Sequence, residues 1–62
     1  MTPDQEIHTL LTARQFGGNF LSKLSEAGLA ADPDNRMIIF AGFPQLIEQF
    51  GPHTTFYSED LG

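Results

Sequence analysis

Proton transfer and metal binding need histidine, cysteine or carboxylate side chains held close together, and this chain offers few. His8 and His53 are its only histidines, and it has no cysteine. A thiol nucleophile and a cysteine-based zinc site are therefore excluded. No serine sits in a G-x-S-x-G turn. Asp32-Pro33-Asp34-Asn35 has the opening spacing of a calcium loop, yet Arg36 stands where the next oxygen ligand belongs and no glycine follows in the required place. Phe16-Gly17-Gly18-Asn19-Phe20 has the glycines of a phosphate-binding loop without its strand, spacing or lysine. We expect no catalytic residue, no metal ligand set and no cofactor, and hence no enzyme.

The local elements explain those same residues more simply. Thr2-Pro3-Asp4-Gln5 predicts a helix start, with Thr2 as N-cap, Pro3 at the first position and Gln5 closing a capping box. Ile7, Leu10, Leu11 and the stem of Arg14 then share one face, and Glu6, His8, Thr9 and Thr12 face away. Gly17 is the expected left-handed stop, Gly18 lets the chain reverse, and Asn19 is the expected cap of the second helix. One continuous helix through residues 14–20 is the rival, disfavoured because two glycines cost about 2 kcal/mol relative to alanine in a helix.

The second helix, to about Ala30, carries Phe20, Leu24, Ala27, Gly28 and Ala31 on its buried side, with Ser22, Ser25 and Glu26 outward. At Ala27-Gly28 bulk gives way to bare backbone, so another helix should cross closely there. Asp32 caps a third helix, Pro33 opens it, and it runs to about Phe43, with a strand through "MIIFAGF" as the competitor. Pro44 breaks it and opens a short fourth helix, in which Leu46, Ile47 and Phe50 share a face before Gly51 and Pro52 end it. The expected fold is all-α: a small bundle of three to four short helices in one domain, 1–52, with a tail, 53–62, that is extended or partly disordered. Its aromatics, Phe56 and Tyr57, either dock or fray.

Composition narrows function by exclusion. With 62 residues, the chain hides roughly 60% of the surface its unfolded form exposes. Such scaffolds often gain stability by associating with their own copies. The net charge of −5 repels phosphate backbones. A helix-turn-helix DNA reader is unlike this chain too, since the candidate recognition helix, residues 19–30, carries one Lys and one Glu. Neither a bilayer-spanning run nor a secretory leader is visible, so a cytoplasmic location is expected.

The segments "ARQFGGNFLSKL", "AADPDN" and "FPQLIEQFGP" resemble a family of short, largely uncharacterised proteins encoded by bacteriophages and prophages. The resemblance spans roughly Leu10 to Pro52 and implies a phage accessory role in a bacterial host cytoplasm. It supplies no catalytic residues. Met37-Ile38-Ile39 departs from the family's pattern by being more apolar.

That departure matters, because a few short helices can cover one side of helix three but hardly two. Met37, Ile38 and Ala41 are therefore expected to form a contact surface, unless the tail folds back on them through Phe56 and Tyr57. The first functional reading is a non-enzymatic protein-interaction protein, self-associating and binding a host or phage protein. A second is an acidic inhibitor using Asp32, Asp34, Glu48, Glu59 and Asp60 to occupy a basic nucleic-acid-binding groove. A third is a small-ligand-binding oligomer with a pocket between subunits.

Overall fold

Each helix begins where the sequence supplies a start signal. In the computed structural model, which describes residues 1–61, α1 (Pro3–Phe16), α2 (Gly18–Ala30), α3 (Pro33–Gly42) and α4 (Gln45–Phe50) follow one another. No strand occurs among the described residues, so the chain is a small all-α bundle and the "MIIFAGF" segment is helical. The Thr2 hydroxyl accepts from the Gln5 N–H at 3.1 Å, and the Gln5 side-chain oxygen accepts from the Thr2 N–H at 2.9 Å. Asp32 accepts from the Asn35 N–H at 2.8 Å in the same way. Pro44 is the N-cap of α4, and Gly51 ends it.

The turn between α1 and α2 is tighter than its sequence suggests, and the two glycines divide the work differently. Gly17 is not left-handed: its φ is −84° and ψ 1°. It is needed for room, since a Cβ there would lie 2.5 Å from the Ala13 carbonyl oxygen and 2.9 Å from Leu21 Cβ. Gly18 is the left-handed residue, with φ of +78°, and has open space around it. Asn19 does not cap α2, because the helix starts at Gly18 with Gly17 as its N-cap and has no side-chain cap.

From this turn α2 runs back along α1. The helices approach so closely that a Cβ on Gly28 would lie 3.1 Å from both terminal methyls of Leu10. The close crossing expected at Ala27-Gly28 is thus present at Gly28, and its partner is α1. The buried faces nevertheless differ from those expected. The fully buried residues of α1 are Thr9, Leu10, Thr12 and Ala13, with Ile7 and Leu11 only half-buried and Arg14 exposed. On α2, Ser25 is fully buried and Leu21 is in the core, whereas Phe20 and Ala27 are exposed.

Hydroxyls make this polar face tolerable. Thr12 donates to the His8 carbonyl at 2.7 Å and accepts from the Ser58 N–H at 3.3 Å. Thr9 donates to the Met1 sulfur at 3.7 Å. Only the Ser25 hydroxyl is buried without a partner among the described residues. Leu10, Ala13, Leu21, Phe40, Leu46 and Phe50 complete the core, bringing α3 and α4 onto the hairpin.

Arg36, which in sequence only disqualifies a calcium loop, is the tie between three helices. Its Nε donates to the Gly28 carbonyl at 3.1 Å and its Nη2 to the Ala31 carbonyl at 3.0 Å. These carbonyls belong to the end of α2, where a cation also meets the negative end of the helix dipole. Nη1 lies 3.9 Å from the Glu6 carboxylate of α1, with the Arg36 side chain only 13% exposed. The guanidinium thus holds the start of α3 against the ends of α1 and α2.

Replacing Gly18 with alanine should cost about 1 to 2 kcal/mol of stability, because only the left-handed φ opposes the new methyl. Urea denaturation checks this. Asparagine at the same position should retain more of the stability than alanine does, and an alanine variant as stable as the parent would contradict the geometry.

Candidate functional site

The residues expected to form one contact surface fall in two places. Met37 and Ile38 are 63% and 67% exposed on the outer face of α3, and Ala41 is exposed beside them. Phe56 and Tyr57 lie elsewhere. The chain beyond α4 turns at once, with both the N–H and the hydroxyl of Thr54 donating to the Gly51 carbonyl, at 3.0 and 2.8 Å. It then lays Phe56 between Phe16 and Phe50, at ring-centroid distances of 5.5 and 5.8 Å. The tail therefore packs on α1 and α4 through its aromatic ring. Its hydrophobic contacts leave the outer face of α3 open.

A second aromatic contact joins Phe20 of α2 to Phe43 at the end of α3, 5.7 Å between centroids and nearly edge to face. Five of the six phenylalanines thus meet in these two groups, and Phe16, Phe20 and Phe56 stay 51%, 60% and 54% exposed. Phe16 and Phe20 were not among the residues the sequence marked as contacts. Their signal was present: no acidic residue occurs between Ile7 and Ser25, a stretch holding Arg14 and Lys23.

The acidic candidates also divide. Because α2 runs back along α1, the first turn of α1, with Asp4 and Glu6, lies at the same end as Ala31 and the start of α3, with Asp32 and Asp34; Arg36 bridges the two sides. Glu59 joins this group through Tyr57. The Tyr57 hydroxyl donates to the Glu59 carboxylate at 2.9 Å, and the Asp4 charge acts on the same phenol. Glu48 sits apart on α4, and Asp60 is exposed in the tail, where its N–H donates to the Ser58 hydroxyl at 3.2 Å.

The Tyr57 phenol is pushed above its ordinary value, first by desolvation, then by the hydrogen bond to Glu59 and the charges of Glu59 and Asp4. Among the described residues there is neither an enclosed cavity nor a cluster of histidines and carboxylates able to hold a metal. The His8 Nδ1 lies 2.8 Å from the Asp4 carbonyl one turn earlier. No helix among the described residues is long and apolar enough to cross a membrane. Comparison with protein-family models, with curated proteins and with solved structures finds no match.

The phenol should ionise above 10.0, and Glu59→Gln should lower its midpoint part of the way back. The chain's single tyrosine makes phenolate absorbance a direct readout. The stability this shift confers is complete below 10.0 and is lost as pH rises through the higher folded value. An unchanged titration in the Glu59 variant would rule out its action on Tyr57.

Proposed function

We propose that this chain is a small accessory protein, of the phage type its sequence resembles, that acts through protein–protein contacts and catalyses nothing itself. It self-associates through the outer face of α3 and engages a host or phage protein in the cytoplasm. The observation that carries this reading is the exposure of Met37 and Ile38, 63% and 67%, on a helix whose inner side already packs Phe40 into the core. Burying such side chains on association returns roughly 25 cal/mol for each Å² of apolar surface removed from water. The phage-type origin rests on the sequence resemblance alone.

One observation favours a second reading, an acidic inhibitor of a nucleic-acid-binding protein. Asp4, Asp32 and Asp34 are exposed at one end of the molecule, where charges could sit in a basic groove. Binding of that kind weakens steeply as salt rises, whereas docking through α3 would not.

Light scattering at high micromolar concentration should report an oligomer for the parent chain and a smaller average mass for Ile38→Asp. The substitution is at an exposed position, so thermal stability of the isolated fold should change by no more than about 0.5 kcal/mol. A parent chain that stays strictly monomeric would overturn self-association through α3.

A further inference from the structure

The two ends of the α1–α2 hairpin are chemically opposite. At the turn, Phe16, Phe20 and Phe56 are more than half exposed. The surrounding stretch from Ile7 to Ser25 has no carboxylate and holds two of the three cations, Arg14 and Lys23. Arg14 is exposed in the last turn of α1, and the Lys23 side chain is 73% exposed, with only a 3.9 Å contact to Glu26. At the other end, Met1 is 50% exposed and Pro3 and Pro33 are exposed as well. Asp4, Asp32 and Asp34, next to those prolines in the chain, are exposed too.

Each end therefore supplies what the other lacks. Phenyl rings pack well on proline rings and on a methionine thioether, and the flanking cations of one end face the carboxylates of the other. We propose that the aromatic end is a contact surface whose occupant is the acidic end of a second copy of this chain. The contact is head to tail, uses a surface separate from α3, and does not close on itself, so it extends a chain of molecules. The overall charge of −5 does not forbid it. With a screening length of about 8 Å at physiological ionic strength, the charges at the contact outweigh those on the far side of a molecule whose extents are 26 × 25 × 20 Å.

Reversing the charges tests it. Sedimentation at high micromolar concentration and physiological salt should show the parent chain growing beyond a dimer. R14E/K23E alone and D4K/D34K alone should each associate about tenfold more weakly, while their equimolar mixture should recover the parent's association. The R14E/K23E chain with E48K and D60K added, which restores the parent's net charge but leaves the contact surfaces of both ends acidic, should not recover it. Circular dichroism confirms that each variant keeps its helices. Introducing Ile38→Asp into the parent removes the α3 contact and should leave this head-to-tail association in place, so the two surfaces fail separately. A parent that never exceeds a dimer, or a mixture no better than its components or its control, would overturn the proposal.

Discussion

The approach of α2 to α1 at Gly28 and Leu10 is the constraint on which the rest of the molecule depends. Leu10 is fully buried, and its two terminal methyls occupy the space that any side chain at residue 28 would claim. Ala13 and Ser25, small residues of the two helices, are fully buried, and so are Thr9 and Thr12, whose hydroxyls meet Met1 and the Ser58 N–H of the tail. Polar atoms enter the core as a consequence, most of them satisfied locally, with the Ser25 hydroxyl left over. Leu10, Leu21, Phe40, Leu46 and Phe50 supply the apolar bulk of the core, and Phe16, Phe20 and Phe56 are left at the periphery.

The surface follows from what the core leaves out. Phe16 and Phe20 flank the Gly17-Gly18 turn, where the tail's Phe56 covers Phe16 only in part and Phe43 meets Phe20. Helix α3 is tied down at its start by Arg36 and along its inner side by Phe40, so its outer side faces solvent. Tight packing inside and apolar exposure outside are thus two results of one geometry. The same geometry gathers the starts of α1 and α3, both marked by Pro after a capping residue, at a single acidic end.

What could be read from the sequence was what depends on near neighbours. Thr2 and Asp32 cap because a short oxygen-bearing side chain three residues before a free N–H is a local arrangement, and Pro44 breaks α3 for an equally local reason. The exposed side of α3 was also legible, from the shortage of segments to cover it. The buried face of α1 was not, since threonines with internally satisfied hydroxyls look hydrophilic until the segments that reach them, Met1 and the tail at Ser58, are placed. Nor were the separate duties of Gly17 and Gly18, which differ in the space around them rather than in residue type. Arg36 reaches back eight residues to Gly28, and Phe56 reaches across to Phe16. Neither distance leaves a periodic trace in the chain.

Replacing Gly28 with alanine and measuring unfolding free energy tests the central contact through its sign. By helix propensity alone, alanine should stabilise an interior helical position by about 1 kcal/mol over glycine. The close crossing predicts the reverse: a net loss of stability, because the new methyl presses on the fully buried Leu10 side chain. A Gly28→Ala chain more stable than its parent would show that α1 and α2 do not meet as closely as described, and the placement of every outer surface would fall with it.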